Sequence, residues 1–206
     1  MKPNQKFNKL AGSQSIEKTV EALERNGIKT VVAENSGQAK KEVLDIIPAG
    51  AEVFTATSQT AEIVSIAKEI NESGKYSSVR NKLMEMDRST QSQEMAKLGA
   101  TPEFVVGSVH AVTEEGQLLI ASATGSQLSA EAYSAGRVIL LVGTQKIVKD
   151  LNEGLRRIYE YSYPLEDARA QKAYGMRSGV NKILIINKEM TPGRITVILI
   201  KENLGF

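Results

Sequence analysis

The sequence contains no cysteine and a single histidine, His110. Without cysteine, this chain forms no disulfide, no thiolate nucleophile, no cysteine-bound zinc site and no iron–sulfur cluster of its own. One histidine without a partner histidine or cysteine supports neither a Cys/His metal site nor a hydrolase triad. We therefore interpret His110 as a hydrogen-bonded structural residue and expect no metal and no cofactor in this chain.

Long apolar runs and clustered basic residues are also missing. No window approaches the roughly eighteen apolar residues that a membrane-spanning helix needs, and Met1–Lys9 is short and polar, unlike a secretory leader. No block of Lys and Arg is present, and the six Tyr and four Phe are not interleaved with basic residues as in a base-stacking surface. We expect a cytoplasmic protein with no membrane partner and no nucleic-acid partner.

The charge that is present is unevenly distributed. Residues 137–201 hold twelve basic and six acidic residues, whereas residues 1–136 hold fourteen basic and seventeen acidic ones. A basic C-terminal third can attract an anionic ligand. An ordinary solvated surface explains the same distribution, so this observation leaves both interpretations open.

Helical periodicity alternates with short apolar runs along the chain. Apolar runs such as Ala51–Thr55, Phe104–Gly107 and Val138–Gly143 are typical of buried strands, and helical patterns separate them. The pattern predicts an α/β fold with a mostly parallel sheet that helices cover on both faces. Residues 191–194 suit a tight turn between two strands and predict a C-terminal antiparallel hairpin. We expect one domain over residues 1–206, with residues 1–12 as a flexible N-terminal segment.

Three polar loops follow predicted strands: Thr55–Ser58, Ser122–Gln127 and Gly143–Lys146. Ligands of open α/β sheets collect at the carboxyl ends of strands, and free backbone N–H groups there favour an anion. Each loop alone is also explained as a helix cap and turn. Together they predict one pocket for a small anionic metabolite. Neither a Gly-x-Gly-x-x-Gly sequence nor a Walker loop is present, so no nucleotide cofactor is indicated.

Glu114 is the candidate catalytic residue. It lies at a predicted turn before Glu115 and Gly116, four residues after His110. A carboxylate at the end of a strand can act as nucleophile or general base when it is partly buried. The alternative is an ordinary solvated turn residue.

The stretch from Val105 to Gln117 is similar to the Gly-x-x-x-Ala-Ile-Ala-Glu-Thr-Gly-Thr core of the LUD-domain family, the lactate utilisation protein C-like or DUF162 family. Later segments follow at the spacing of that family: Ala121–Gln127, Val138–Val142, Pro164–Arg169, Asn181–Asn187 and Pro192–Val197. The resemblance runs from about Ser36 to the end of the chain. A looser likeness links residues 113–116 to the Ser-Glu-Asn-Gly turn of family I CoA transferases, whose glutamate carries an acyl group.

The resemblance implies a fold of the NagB/RpiA/CoA transferase-like type and a role beside bacterial proteins that oxidise L-lactate to pyruvate. It also implies that iron–sulfur or other redox partner proteins are separate chains. The candidate ligand-binding residues lie in the strand-end loops or in and beside segments that match the family. They are Thr55, Thr57, Ser58, Arg80, Gly107, Thr124, Gly125, Ser126, Gln127, Lys146, Arg169, Asn181 and Lys182.

Three functions fit these observations. The first is a LUD-type protein that binds a small anionic metabolite and takes part in lactate or organic-acid utilisation with redox partners. The second is an acyl or CoA transferase-like or sugar-phosphate isomerase-like enzyme that uses Glu114. The third is a non-catalytic interaction subunit, and assembly into a homo-oligomer is compatible with all three.

Overall fold

The structure is a computed structural model, and it describes residues 2–206. The described strands are, in chain order, β1 (Lys29–Ala33), β2 (Glu52–Thr55), β3 (Ser77–Ser78), β4 (Phe104–Gly107), β5 (Ala111–Thr113), β6 (Leu118–Ser122), β7 (Arg137–Gly143), β8 (Ile147–Val148), β9 (Lys182–Ile186) and β10 (Ile195–Ile200). The described α-helices are α1 (Ser13–Arg25), α2 (Ser36–Ile46), α3 (Gln59–Ile63), α4 (Ile66–Glu72), α5 (Val79–Glu85), α6 (Ser92–Ala100), α7 (Leu151–Arg157) and α8 (Tyr163–Tyr174).

Six strands form a fully parallel main sheet in the order β1-β10-β7-β4-β2-β3. Its central strands are buried along nearly their whole length, as expected of parallel strands covered on both faces. A second, mixed sheet has the order β8-β5-β6-β9. The predicted α/β fold with a mostly parallel sheet flanked by helices is therefore confirmed, and the second sheet is an addition to it.

Three apolar clusters hold these layers together. On one face of the main sheet, side chains of α2, α3 and α4 pack against β4, β7 and β10. On the other face, α1 and the second sheet pack against the alternate side chains of the same strands. The far face of the second sheet packs against α7 and the segment that follows it.

The predicted C-terminal hairpin is wrong. The tight turn is present, with Gly193 at φ +75° and the Arg194 N–H donating to the Thr191 carbonyl at 3.2 Å. However, β9 pairs with β6 in the second sheet, whereas β10 runs parallel between β1 and β7. The physical reason is burial: every residue of β10 is buried, which suits a central parallel strand, whereas β9 is partly exposed and suits a sheet edge.

Part of the N-terminal segment that the sequence predicts to be flexible contacts the rest of the fold, and Met1 lies outside the described residues. Asn4 caps a short 3₁₀ turn over Gln5–Asn8, and its backbone N–H donates to the Glu160 carbonyl at 2.8 Å. Phe7 is buried in the cluster beside α7.

Two turns of π-helix interrupt the regular helices, at Ala130–Ser134 and at Ile158–Ser162 between α7 and α8. Such turns are rare and often lie at functional sites. In the part of the chain that the structure describes, no helix has both the length and the apolar character needed to cross a membrane.

Candidate functional site

The carboxyl ends of β2, β4 and β7 open into one cavity of about 310 Å³. Its walls come from the segments that follow these strands, from the loop after β6, and from α8. Residues of all three predicted strand-end loops line it: Thr57, Ser58, Ser122, Thr124, Ser126, Gln127 and Lys146. The structure thus brings the three loops together at one end of the main sheet, where parallel strands direct their ends.

Lys146 lies at the floor of the cavity, in a 3₁₀ turn that follows β7, and only 1% of the residue is exposed. Its Nζ donates to Thr60 Oγ1 at 2.9 Å, to Ser108 Oγ at 3.0 Å and to the Val109 carbonyl at 3.1 Å. No carboxylate of the described residues forms a salt bridge with it. A buried lysine is thus held by neutral groups alone.

The hydrogen-bond directions around Lys146 match an ammonium group. The Thr60 hydroxyl donates its own proton to the Leu204 carbonyl at 3.1 Å, and the Ser108 hydroxyl donates to the Leu141 carbonyl at 2.6 Å. Both hydroxyls are therefore acceptors toward Lys146, and with the Val109 carbonyl they match the three donors of an ammonium. Burial, with a smaller contribution from the charge of Arg157, lowers the pKa of Lys146 well below its ordinary value. The three acceptors oppose that shift, and we treat the group as a buried cation without a counter-ion.

Arg157 is a second buried cation close to the same place. Its Nη1 donates to the His110 carbonyl and, at 3.0 Å, to Ser162 Oγ, and its guanidinium lies 5.1 Å from the centre of the Tyr161 ring. Among the described residues, Nε and Nη2 are buried without a hydrogen-bond partner. Burial lowers the pKa of Arg157 to about 10, so it stays charged at neutral pH.

His110 also lines the cavity, and its carbonyl accepts from Arg157. Its Nδ1 accepts the backbone N–H of Ala121 at 3.1 Å, which leaves the proton of the neutral ring on Nε2. Burial first, and then the charges of Lys146 and Arg157, lower the pKa of His110 to about 3. The side chain is therefore a neutral imidazole at neutral pH.

Glu131 is the buried carboxyl group of the cavity. It lies in the first π-helical turn, only 1% of the residue is exposed, and Oε2 is buried without a partner among the described residues. Burial raises the pKa of Glu131 to about 8, since no cation compensates it. Gly107 makes room for the carboxyl group: a Cβ on residue 107 would lie 3.1 Å from Oε1.

Two arginines lie farther out on the cavity wall. The Nε and Nη2 atoms of Arg80 donate to the Thr55 carbonyl at 2.9 and 2.6 Å, and Nη2 also donates to Thr57 Oγ1 at 3.0 Å. Arg169 pairs with Glu166 at 2.7 and 2.8 Å and stacks 5.4 Å from the centre of the Tyr174 ring. Both guanidinium groups thus add positive charge to a wall rich in hydroxyl groups.

The other predicted ligand-binding residues lie beside the cavity rather than on its surface. Thr55 is bound by Arg80, and Asn181 Nδ2 donates to the Ala123 carbonyl at 3.1 Å. The Lys182 side chain lies against Gly125, where an added Cβ would come within 2.6 Å of it. These residues support the loops that line the cavity.

Glu114 does not face the cavity. It lies in the turn between β5 and β6, where it accepts Ser15 Oγ at 2.7 Å and Lys18 Nζ at 2.8 Å from α1. The hydrogen bonds from Lys18 and then from Ser15 lower the pKa of Glu114. The turn and the cavity are at opposite ends of β6, so the nucleophile suggested by the sequence has no access to the ligand site.

Sequence reasoning missed the carboxyl group that does face the cavity and the two hydroxyl groups that hold Lys146. Glu131 is the one acidic residue among small and apolar neighbours from Leu128 to Gly136, and an acidic residue on an apolar helical face is a usable signal. Thr60 and Ser108 offer no such signal. In the described part of the chain, no group of three or more His, Cys, Asp or Glu side chains is placed to hold a metal ion.

A family model described as the LUD domain matches residues 16–200 of this chain. Among solved structures, the chain is similar to a DUF162 family protein from Deinococcus radiodurans, with a TM-score of 0.58 and 11% identity over 93% of this chain and 99% of that one. It is less similar to eIF2B beta from Chaetomium thermophilum, with a TM-score of 0.41 and 15% identity over 70% of this chain and 46% of that one. For eIF2B delta of the same organism, the TM-score is 0.33 and the identity is 14%, over 69% of this chain and 56% of that one.

The sequence matches none of the curated proteins with which it was compared. At 11% identity, the likeness to the DUF162 structure concerns the fold alone. The family model, by contrast, spans nearly the whole chain, from the middle of α1 to the end of β10. The chain therefore belongs to the LUD domain family.

Proposed function

We propose that this protein binds a small anionic metabolite in the strand-end cavity and takes part in the utilisation of lactate or a related organic acid in the cytoplasm. The observation that carries the proposal is Lys146, a buried cation held by three neutral acceptors with no carboxylate beside it. A buried charge without a partner is costly for the folded state. An anion in the cavity would supply the missing charge.

Two further cations act in the same direction. Arg157 is fully buried next to His110, and Arg80 lies on the cavity wall. Of the acidic residues on that wall, Glu166 is already paired with Arg169, and burial keeps Glu131 largely protonated at neutral pH. The electrostatic balance of the cavity is thus positive, which suits a carboxylate or phosphate group.

Separate redox partners follow from the chemistry of the proposed role. Oxidation of lactate to pyruvate releases two electrons, and a chain without cysteine cannot hold an iron–sulfur cluster through thiolates. In this proposal the chain contributes the metabolite site, and a partner protein accepts the electrons.

Thermal-shift measurements test the anion site directly. L-lactate, pyruvate, inorganic phosphate, ribose 5-phosphate and acetyl-CoA would be titrated into the wild type, Lys146→Met and Lys149→Met. An anion that binds the native state at one hundred times its Kd stabilises it by about 2.7 kcal/mol. We expect at least one anion to raise the Tm of the wild type in this way.

Lys149→Met is the matched control because it removes the same charge from an exposed position three residues away. It should keep the wild-type response, and Lys146→Met should lose it. If no anion raises the Tm, or if both variants respond alike, the cavity is not the anion site.

A further inference from the structure

One short segment gathers three reactive groups of the cavity. Gly107 lies against the Glu131 carboxyl group, and Ser108 and Val109 accept hydrogen bonds from Lys146. The next residue is His110 itself. A carboxyl group, an ammonium and a neutral imidazole are therefore arranged along four consecutive residues that end and follow β4.

The imidazole and the ammonium suit an oxygen atom that becomes negatively charged. His110 Nδ1 is occupied by the Ala121 N–H, and Nε2 makes no hydrogen bond with any described residue, so its N–H is free to donate. A neutral imidazole is a good donor toward an enediolate oxygen, since it does not give up its proton easily. The Lys146 ammonium adds a fixed positive charge in a water-poor place, where it stabilises such an oxygen best.

The carboxyl group suits a proton that moves to and from carbon. Glu131 forms no salt bridge among the described residues, and its Oε2 has no hydrogen-bond partner there. A carboxylate without hydrogen bonds in a buried place is a stronger base than one in water. A proton acceptor for carbon chemistry needs this property.

We propose that the cavity catalyses proton transfer between neighbouring carbons of a small anionic 2-hydroxy carbonyl compound, with Glu131 as base, and His110 and Lys146 as stabilisers of the enediolate. The Glu131 carboxylate takes the proton from the hydroxyl-bearing carbon, and the C–H electron pair becomes the C=C bond. The carbonyl electron pair moves onto oxygen. Glu131 then returns the proton to the former carbonyl carbon, and the remaining hydroxyl proton passes between the two oxygens through water.

The net reaction is an isomerisation, so it needs no oxidant, reductant or metal. The proposal rests on the anion site proposed above, because Arg80 and Arg169 must also hold the anionic group of the substrate. That group is a phosphate or a carboxylate, and the two sources of negative charge can be separated experimentally.

The charged and titratable groups around Glu131 define the pH dependence. From the other elements of the cavity they are Arg80 of α5, His110, Lys146, and Tyr163, Glu166, Arg169 and Tyr174 of α8. Arg194, at the start of β10, donates only to the main-chain carbonyls of Glu131 and Ala132. Because the pKa of Glu131 is about 8, the ionised base increases as the pH rises to that value. Because the pKa of His110 is about 3, we expect no change in the rate near pH 6.5 from titration of this side chain.

Deuterium exchange tests the proposal. The whole protein would be incubated in heavy water with dihydroxyacetone phosphate, ribose 5-phosphate or hydroxypyruvate, and loss of the C–H signal would be followed by proton NMR. The first two probes carry a phosphate and the third a carboxylate. We expect exchange with at least one of them above the rate without protein, rising with pH to a plateau above about pH 8.

Variants at the two glutamates make the test specific. Glu131→Gln should reduce exchange by about 100-fold or more, as loss of a general base does, while the probe still raises the Tm. Glu131→Asp keeps a carboxyl group but withdraws it by one methylene. It should therefore exchange at an intermediate rate, and that rate should still rise with pH. Glu114→Gln is the matched control and should exchange at the wild-type rate.

The two proposals fail in different ways. If an anion raises the Tm but no probe exchanges, or if Glu131→Gln exchanges as fast as the wild type, the isomerisation is wrong and the anion site stands. If no anion binds, both proposals are overturned.

Discussion

Two short regions flank β5, and each lies beside or contains one glutamate. Residues 107–110 lie against Glu131, whereas the β5–β6 turn, residues 113–117, contains Glu114. The surroundings of the two carboxyl groups differ. Glu114 is paired with Lys18 and Ser15 and its pKa is lowered. Glu131 has neither a cation nor a hydrogen-bond donor on its side chain among the described residues, and its pKa is raised to about 8.

The comparison shows that neighbours, rather than the position in a motif, decide what a carboxyl group can do. A glutamate at a turn between strands meets the exposed face of α1, where a lysine and a serine are within reach. A glutamate on a helical turn beside the carboxyl end of β4 meets Gly107 instead. The first is an anion that links the turn to α1, and the second is largely protonated at neutral pH.

The largest expected effect is on the pH dependence of stability, with Glu131→Gln. The folded-state pKa of about 8 lies above the value of 4.5 for an ordinary glutamate, so the folded protein binds this proton more tightly. By linkage, the wild type loses stability as the pH rises from about 4.5 to about 8. The shift corresponds to about 5 kcal/mol at most. Urea denaturation at pH 5, 6, 7 and 8 should show that the free energy of unfolding of the variant increases relative to that of the wild type across this range. If the free energies of unfolding of the two proteins change with pH in parallel, the pKa of Glu131 is not raised in the folded state.

The next largest effect is expected on the free energy of unfolding when the glycines of the two regions are replaced by alanine. Gly116 has φ +79°, and a Cβ there would lie 2.7 Å from the backbone carbon of Ala22. Gly116→Ala should therefore cost about 3 kcal/mol of the free energy of unfolding, from strain and overlap together. In Gly107→Ala the new Cβ meets the Glu131 carboxyl group at 3.1 Å, the Ala56 Cβ at 3.3 Å and the Leu140 Cδ2 at 3.9 Å, and the change should cost about 1 kcal/mol. Equal losses in the two variants, measured by chemical denaturation, would contradict this comparison.

The smallest effect is expected at Glu114. Its carboxylate is stabilised in the folded state, so this contribution is present above the ordinary glutamate pKa and is lost as the pH falls through the lowered one. The pair with Lys18 is largely exposed on the lysine side, which limits it to about 0.5 kcal/mol. Glu114→Gln should therefore lower the free energy of unfolding slightly at pH 7, and Lys18→Met should do the same. A double variant that loses no more than either single variant would confirm that the two residues form one pair.

Much of the fold was predictable because its signals are local. The strands at Phe104–Gly107 and Val138–Gly143 are runs of apolar residues, and the observed strands agree with them to within a residue. The loop Thr55–Ser58 was recognisable as a helix cap, and the Ser58 hydroxyl accepts the Ala61 N–H at 3.2 Å. Caps and apolar periodicity depend on residues a few positions apart, so a sequence carries them openly.

The positions of the strand-end loops were predictable for a similar reason, since parallel strands direct their carboxyl ends to one edge. Lys146 was a candidate because it follows such a strand. Its isolation from carboxylates was not predictable. That isolation depends on Thr60, Ser108 and Val109, which approach it from up to 86 positions away in the chain.

The sequence by itself therefore determined the α/β class, the turns, the helix caps and which loops follow strands, because each depends on short-range sterics and hydrogen bonds. Only the tertiary structure decided that β9 and β10 part into different sheets, since strand pairing depends on which faces can be buried together. It also decided that Glu131, and not Glu114, faces the cavity. The charge state of a side chain follows from the burial and partners that distant segments provide, and no local pattern encodes them.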